Sequence, residues 1–265
     1  MIKMVVCDMD GTIIGRDEKL PDDIFQMSER LEKQGILFTV ATGRSESFMN
    51  PIAGSMKLLY PYVASNGATI TGNGCVPFRK QFPISQIRSV LETARDMGMS
   101  LLYTGNGVDR ITRMTPWLKK EADKHSQVYI PEPFTEDDWK NYKIEKVLIM
   151  DEIRDGRISK IEELCRNTSG SFRYVRYRDK AIEIMEKTAD KGSGVKKLGE
   201  ILGIDMEHTL IIGDDDNDIE MFRIGAHSAA VGNATEAVRS SAEYICRGER
   251  FEGVKEAVQK FCGDR

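Results

Sequence analysis

The sequence predicts an α/β protein, in which a parallel β-sheet carries helices on both faces and an α+β domain is inserted into the chain. Three observations support this class. Short apolar runs, typical of strands buried on both faces, alternate with helical patterns near both ends of the chain. Between them, over 84–187, helical patterns mix with strands separated by hairpin-like turns. Polar clusters follow the apolar runs, as expected for binding loops at the carboxyl ends of parallel strands.

The N-terminal elements form a strand–helix–strand unit. An apolar run over Met4–Cys7 predicts the first strand, and Pro21 followed by two acids predicts the start of a helix. That helix is expected to end at Gly35, and the apolar run over 36–41 is expected to form the second strand. A unit of this length is a right-handed βαβ crossover. A third short strand is predicted over Tyr62–Ala64.

The alternation of predicted strands and helices resumes near the C-terminus, after the insertion. The pattern predicts a helix over 191–202, a strand over 209–212, the start of a helix over 218–224, and short strands over 229–231 and 244–245, each followed by a helical stretch. The insertion is predicted to contain helices over 84–97 and 153–166 and strands over 100–103, 147–150, 172–177 and 181–185. An Asn-Gly pair at 73–74 predicts a hairpin turn before it. The predicted domains are therefore a core of residues 1–83 and 188–265 and an inserted domain of residues 84–187.

Composition and charge exclude several classes of function. The 265 residues are 40% hydrophobic and 30% charged, with a formal net charge of −4, which describes a globular protein without a basic surface for nucleic acid. No stretch is long and apolar enough for a membrane helix, and the first residues enter a strand directly, so no secretory signal is expected. The five scattered cysteines contain no CxxC pair, and the three histidines are isolated from one another. We therefore expect reduced thiols, a cytoplasmic location and neither a disulfide framework nor a zinc site.

Two aspartates directly after the first strand are the most informative feature of the chain. Asp8 and Asp10 lie two positions apart, so along a strand they are expected to project to the same side. Two carboxylates that close repel each other unless a cation lies between them. Gly11 then allows a sharp turn of the backbone, and Thr12 adds a hydroxyl group. An Asp-rich turn without a function is the alternative interpretation of these residues.

Polar groups also follow the other predicted strands. Thr42 offers a hydroxyl and Gly43 a backbone amide that an oxyanion can approach closely, and the Ser-Asn-Gly segment at 65–67 follows the third strand. Four acids occur within 214–218, directly after the next strand of the predicted core. A hard divalent cation with oxygen ligands accounts for that acidic density, and Mg²⁺ suits one or two carboxylates together with phosphate and water. Lys191 stands at the N-terminal end of a predicted helix.

Together these segments resemble the four motifs of the haloacid dehalogenase (HAD) superfamily, in the order of the family. They are Asp8-x-Asp10-Gly11-Thr12, Thr42-Gly43-Arg44, Lys191-Gly192 and Gly213-Asp214-x-x-Asn217-Asp218. The later Val-Gly-Asn-Ala at 231–234 and Glu-Gly-Val at 252–254 resemble the Cof-type sugar-phosphatase branch, subfamily IIB. The resemblance implies a Rossmann-like core. The long interval between the second and third motifs indicates a cap inserted there, which resembles the C2B type of the family.

The resemblance also implies a mechanism, that of a phosphatase that forms an aspartyl phosphate. Asp8 would be the nucleophile, and Asp10 would protonate the leaving alkoxide and then activate water. The side chains of Asp8 and Asp214 and the backbone carbonyl of Asp10 would bind Mg²⁺. Phosphoryl oxygens would be held by the Met9 backbone, Thr42, the Gly43 amide, Lys191 and Asn217. Asp215 and Asp218 are expected to orient the lysine or its loop.

Two alternatives to a phosphatase remain open from the sequence. A C2B-type phosphomutase keeps both aspartates, and a regulator that binds phosphate esters without catalysis keeps the same fold. A dehalogenase lacks the second aspartate because it has no alkoxide to protonate, and P-type ATPases carry threonine where this chain has Asp10. The predicted partner is a small phosphorylated metabolite, chiefly a sugar phosphate, with no nucleic acid, membrane or obligate protein partner. Weak cues for substrate selection are Arg44, the 105–110 turn and Glu183.

Overall fold

The structure is a computed structural model that describes residues 1–15, 18–72, 74–125, 127–225 and 227–263. The predicted hairpin turn at 73–74 falls on Asn73, which lies outside the described residues. The chain divides into two compact units, the first of Met1–Phe78 and Ala189–Arg265 and the second of Arg79–Thr188. Within the part of the chain that is described, no helix combines the length and the apolar content needed to cross a membrane.

Strands and helices alternate through the first unit, whereas the second unit is richer in adjacent strands. In chain order the strands are β1 (Met4–Cys7), β2 (Leu37–Val40), β3 (Tyr62–Ala64), β4 (Thr69–Gly72), β5 (Cys75–Arg79), β6 (Phe82–Pro83), β7 (Ser100–Gly105), β8 (Val108–Ile111), β9 (Lys143–Ile144), β10 (Lys146–Met150), β11 (Phe172–Tyr177), β12 (Ala181–Glu186), β13 (Thr209–Gly213), β14 (His227–Ala230) and β15 (Tyr244–Ile245). The helices are α1 (Ile24–Lys33), α2 (Glu46–Ser55), α3 (Arg88–Asp96), α4 (Pro116–His125), α5 (Glu136–Asn141), α6 (Ile158–Asn167), α7 (Lys191–Leu202), α8 (Ile219–Phe222), α9 (Glu236–Ser241) and α10 (Arg250–Cys262). Single 3₁₀ turns occur at Ser65–Gly67, Ile84–Ile87, Met206–His208 and Asp216–Asp218.

The first unit is built on a five-stranded parallel sheet with the strand order β15-β14-β13-β1-β2. Alternate side chains of β1 enter two different hydrophobic clusters. Val5 and Cys7 pack in one of them, and Met4 and Val6 pack in the other. The sheet is therefore covered on both faces, which is why its strands read as continuous apolar runs. The predicted α/β class with a parallel central sheet is confirmed.

Local signals define the ends of the helix that carries Lys191. Asp190 accepts a hydrogen bond from the backbone N–H of Ser193 at 2.7 Å and so caps the start of α7. The helix ends at Gly203, whose φ of 68° is the left-handed conformation common at helix ends. As a result, α7 spans the range that the sequence predicts, and its first residue is the lysine of the third motif.

The second unit is an antiparallel sheet with helices packed on one face. Its strand order is β11-β12-β10-β7-β8, and neighbouring strands pair antiparallel. Ile182 and Ile184 of β12 share a hydrophobic cluster with Val90 of α3 and Ile161 of α6. The sequence predicts that the insertion begins at residue 84, whereas this unit begins at Arg79, because β6 pairs with β9 inside it. The unit has the α+β composition that the predicted fold class requires.

One predicted helix begins later than expected, and one predicted strand has the expected bounds but lies outside the five-stranded sheet. The helix predicted over 153–166 begins only at Ile158, because Arg154 and Gly156 have φ values of +56° and +90°, which lie outside the right-handed α-helical region. The third predicted strand, β3, pairs with β4 in a separate small sheet. It meets the end of β2 through a single parallel bridge, which joins Ala41 to Val63.

Candidate active site

Three predicted site residues stand at the carboxyl edge of the parallel sheet. Asp8 follows β1, Thr42 lies just beyond β2, and Asp214 follows β13. Because these three strands are neighbours and run parallel, their ends lie together. The backbone N–H of Asp8 donates to the Ile212 carbonyl at 2.9 Å, so the strand ladder holds Asp8 in place one residue beyond the end of β1.

Lys191 joins two buried aspartates. Its Nζ donates to Asp8 Oδ1 at 2.5 Å and to Asp218 Oδ1 at 2.6 Å, and all three side chains are buried. The second oxygen of Asp218 accepts the backbone N–H groups of Asp214 and Asp215, at 2.9 Å and 3.1 Å. Asp218 therefore links the lysine to the loop after β13 and holds both in fixed positions.

The loop after β1 packs tightly against Asp214. Thr12 Oγ1 donates to Asp214 Oδ1 at 2.6 Å. A Cβ added to Gly11 would stand 2.2 Å from Asp214 Oδ2, and the φ of Gly11 is +95°. Met9 is fully buried, and its carbonyl accepts two backbone N–H groups of the following turn at 2.9 Å and 2.7 Å. The first motif is thus a tight turn whose close approach to the acidic loop requires glycine at position 11.

Three carboxylates and one lysine make up the centre of the site. Carboxylate oxygens of Asp8, Asp214 and Asp218 all lie within 4.8 Å of one another. Burial raises the pKa of Asp8 well above its usual value, although Lys191 opposes this, and the two neighbouring carboxylates raise it further. Burial also raises the pKa of Asp214, to about 6. Because the pKa values of Asp8 and Asp214 are both raised, the protein alone does not fully compensate the negative charge of this cluster.

The charge balance and the donor set of this cluster fit a divalent cation. When all three carboxylates are ionised, Lys191 neutralises only one of them, and the remaining negative charge matches that of one divalent ion. Carboxylate oxygens are also the donors that hard cations such as Mg²⁺ prefer. The acidic cluster therefore has the composition of a metal centre.

Asp10 takes a different position from Asp8. β1 ends before it, and its side chain is 53% exposed. Arg44 donates from Nε to Asp10 Oδ2 at 2.8 Å and from Nη2 to Asp10 Oδ1 at 2.5 Å, and its guanidinium also lies over the Phe48 ring, 4.7 Å from the centroid. Among the described residues, the acidic cluster contains Asp218 and not the Asp10 side chain. The acid–base role of Asp10 and its carbonyl contact with a metal stay predictions.

Of the residues predicted to hold phosphoryl oxygens, Thr42, Gly43 and Asn217 are linked through neighbouring contacts to Lys191. Its Nζ reaches Asn217 Oδ1 at 3.4 Å, and Asn217 Nδ2 donates to Asn66 Oδ1 at 3.2 Å. Asn66 lies beside Gly43, where an added Cβ would come within 3.1 Å of the Asn66 Oδ1 atom. Thr42 is buried, and its Oγ1 accepts the backbone N–H two residues further along the chain at 3.1 Å. The second, third and fourth motifs therefore meet in one place.

Two asparagines of the site are not among the predicted site residues. Asn66 has a left-handed backbone, with a φ of 51°, and binds Asn217. Asn233 donates from Nδ2 to the Gly11 carbonyl at 2.9 Å. Both lie in segments whose sequence is distinctive, but their partners are 151 and 222 positions away along the chain. Local sequence patterns cannot predict contacts between residues so far apart along the chain.

The two cues for substrate selection in the second unit have structural partners. Glu183 is 5% exposed, and it accepts hydrogen bonds from Lys146 at 2.8 Å and from the Tyr177 hydroxyl at 3.1 Å. The turn predicted over 105–110 is shorter in the structure, because only residues 106–107 lie between β7 and β8, with Asn106 at a φ of +53°. A role of either feature in substrate selection stays a prediction.

Comparison with known protein families decides the class of this site. A family model described as haloacid dehalogenase-like hydrolase matches residues 5–258. The chain belongs to the haloacid dehalogenase-like hydrolase family. The resemblance inferred from the four motifs is therefore confirmed. HAD phosphatases generally need a divalent metal, and the acidic cluster of Asp8, Asp214 and Asp218 agrees with that requirement.

Relatives and solved structures of this HAD family match the chain over nearly its whole length. Phosphoglycolate phosphatase 1 of Saccharolobus solfataricus is 27% identical over 98% of this chain and 96% of its own. The 5-amino-6-(5-phospho-D-ribitylamino)uracil phosphatase YcsE of Bacillus subtilis is 26% identical over 97% and 95%. The structure of the HAD subclass IIB sugar phosphatase BT4131 has a TM-score of 0.84 at 20% identity and covers 99% of this chain and 100% of that one. The enzyme is accordingly a HAD-type phosphatase with the fold of subclass IIB.

Replacing Gly11 with alanine is expected to destabilise the protein by at least about 2 kcal/mol, because the added Cβ meets Asp214 and the backbone is strained for any other residue. Gly35→Ala is the matched control, since Gly35 also has a positive φ, +73°, but open space around it. That control should cost about 1 kcal/mol. Chemical denaturation of both variants measures the difference, and equal losses would contradict the close packing at Gly11.

Proposed function

We propose that this enzyme hydrolyses small phosphomonoesters, chiefly sugar phosphates, in a Mg²⁺-dependent reaction that passes through an aspartyl phosphate on Asp8. The observation that supports it most is the buried Asp8 carboxylate beside Lys191 and two further carboxylates, Asp214 and Asp218. A carboxylate cannot approach a phosphate dianion unless positive charge compensates both groups. Lys191 supplies part of that charge at 2.5 Å from Asp8.

Asp8 and Asp10 lie in different environments and have different roles in the proposed reaction, Asp8 as the nucleophile and Asp10 as the acid and base. An oxygen of Asp8 forms a bond to phosphorus while the bond from phosphorus to the leaving oxygen breaks, and Asp10 gives that oxygen its proton. Asp10 then takes a proton from water, the water oxygen attacks phosphorus, and inorganic phosphate leaves Asp8. Buried Asp8 suits the nucleophile, whereas the exposed Asp10 can exchange protons with solvent. Because Arg44 binds both oxygens of Asp10, proton transfer requires Asp10 to give up one of these contacts.

The remaining predicted residues are assigned to binding. Asp8 and Asp214 would hold Mg²⁺ through their side chains and Asp10 through its backbone carbonyl, while Asp218 orients the lysine. When bound, the metal lowers the charge repulsion between phosphate and the attacking carboxylate. Phosphoryl oxygens are held by the Met9 backbone, Thr42, the Gly43 amide, Lys191 and Asn217.

Small metabolites are the proposed substrates. The two curated relatives described above are named for phosphoglycolate and for a ribityl phosphate, both of them small phosphate esters. We further propose that the unit Arg79–Thr188 acts as the C2B cap that selects among such esters, and that the enzyme works in the cytoplasm. Comparing kcat/KM for hexose phosphates with that for a phosphopeptide tests this choice. A phosphopeptide that is the better substrate would contradict it.

Chelation of the metal is expected to abolish phosphate release, because the charge of the acidic cluster is then uncompensated. The measurement is inorganic phosphate released from a panel of phosphate esters, first with EDTA and then with Mg²⁺ restored in excess. We expect phosphate release to be lost with the chelator and to return with Mg²⁺. Activity that survives complete chelation would contradict the metal assignment.

The same panel separates hydrolysis from phosphoryl transfer. A phosphomutase would move the phosphoryl group to another hydroxyl of the sugar and release little inorganic phosphate. Analysis of the sugar product beside the phosphate assay therefore distinguishes the two reactions. Stoichiometric release of phosphate supports the phosphatase.

A further inference from the structure

Asn233 connects three segments that are far apart along the chain. Its Nδ2 donates to the Gly11 carbonyl at 2.9 Å and points at Asp214 Oδ2 from 3.5 Å. Its Oδ1 accepts the backbone N–H of Arg250 at 2.7 Å. Both ends of the Asn233 amide are thus engaged, one by the first residue of α10 and the other by the acidic site.

The Asp214 carboxylate has a different partner on each oxygen. Thr12 donates to Oδ1 at 2.6 Å, while Asn233 lies beside Oδ2. The backbone N–H of Thr235 donates to the Asp214 carbonyl at 2.9 Å. The segment 233–235 therefore holds Asp214 at its backbone and at its carboxylate, and the side chain cannot rotate without losing one of these contacts.

Arg250, whose backbone N–H binds Asn233, has an unusual backbone conformation. Arg250 has a φ of +52°, a left-handed conformation that a residue other than glycine adopts only at a cost. Its backbone N–H donates to Asn233 Oδ1 at 2.7 Å. The hydrogen bond that holds Asn233 Oδ1 therefore comes from a backbone position whose conformation is costly for a residue other than glycine.

We propose that Asn233 is a positioning residue, which fixes the orientation of the Asp214 carboxylate and so sets the affinity of the acidic cluster for its divalent cation. This inference rests on the proposed function only in taking Asp214 as a metal ligand. Side chains that hydrogen-bond a metal ligand typically change metal affinity by about 10–100-fold when they are removed. Asn233 does not itself touch the substrate in this assignment.

The test is Mg²⁺ binding to the Asn233→Ala variant, measured by titration calorimetry on metal-free full-length protein without substrate. We expect the dissociation constant for Mg²⁺ to rise by about 10–100-fold relative to the wild type. With saturating Mg²⁺, most of the lost kcat should return, because the chemical groups of the site are unchanged. An unaltered Mg²⁺ dissociation constant would overturn the inference.

Thr235→Ala is the matched control, because it weakens the same segment without touching the carboxylate. It removes the cap of α9 and the contact of Thr235 Oγ1 with Asp216 at 2.8 Å, but keeps the backbone N–H that binds Asp214. We expect a lower Tm and a Mg²⁺ dissociation constant within about twofold of the wild type. If this control weakens Mg²⁺ binding as much as Asn233→Ala does, the effect is one of general stability and the inference fails.

The wild-type titration distinguishes this inference from the proposed function. If the wild type binds Mg²⁺ and the Asn233→Ala variant binds it with equal affinity, only the positioning role of Asn233 is overturned. A wild type that binds no divalent cation overturns the metal assignment, and the positioning role fails with it.

Discussion

Asp8→Asn is expected to lower kcat by about 10⁴-fold or more while the protein remains folded. An amide is nearly isosteric with the carboxylate but is a poor nucleophile, so no aspartyl phosphate can form. Folding should survive because Lys191 keeps its second carboxylate partner, Asp218, at 2.6 Å. Steady-state kinetics with the best ester of the panel, together with a thermal melt, measure both expectations.

Asp23→Asn provides the control for this substitution. Asp23 is a partly exposed aspartate whose ion pair with Lys255, at 2.9 Å, lies outside the acidic cluster. The kcat of the Asp23→Asn variant should equal that of the wild type, since exposed ion pairs contribute little even to stability. A wild-type kcat in the Asp8→Asn variant would remove Asp8 as the nucleophile.

Lys191→Met is expected to lower the free energy of unfolding of the metal-free protein by about 3–5 kcal/mol at neutral pH, because it leaves two buried carboxylates without their cation. Lys191 is the main influence that opposes the raised pKa of Asp8. Without it, the charged form of Asp8 is disfavoured further in the folded state. The loss should therefore shrink as the pH falls toward the ordinary carboxyl pKa of about 4, where Asp8 is protonated in both states, and grow as the pH rises.

Lys197→Met is the matched control, since it removes a lysine from the same helix. Lys197 pairs with Glu200 at 2.9 Å on the surface, and its side chain is 41% exposed. This change should alter the free energy of unfolding by less than about 0.5 kcal/mol. Urea denaturation in EDTA across a range of pH compares the two variants. A loss in Lys191→Met that does not depend on pH would contradict the charge-compensation role of Lys191.

The elements that carry the site could be predicted because burial on both faces leaves a continuous apolar signal. β1 lies between β13 and β2 in the sheet, and β1 and β13 are fully buried, so these strands are mostly apolar in sequence. Polar residues directly after such runs mark the edge of the sheet. That is why Asp8, Thr42 and Asp214 could be placed at one edge from the sequence.

The contacts that complete the site could not be predicted from local patterns. Lys191 and Asp8 are 183 positions apart, and Asn233 and Gly11 are 222 positions apart. Only the fold brings such residues together, and the family resemblance supplied the role of Lys191 but gave none for Asn233. The different partners of Asp8 and Asp10, which are Lys191 and Arg44, could not be predicted from strand alternation either, since β1 ends before both aspartates.

Trapping the reaction intermediate tests the central proposal most directly. The enzyme is mixed with a sugar phosphate and Mg²⁺, quenched with acid within one turnover, and digested for mass spectrometry, with Asp8→Asn treated in the same way. We expect a phosphoryl group on the peptide that contains Asp8 in the wild type and none on that peptide in the variant. A phosphoryl group on another residue, or rapid hydrolysis in the variant, would contradict the assignment of Asp8 as the nucleophile.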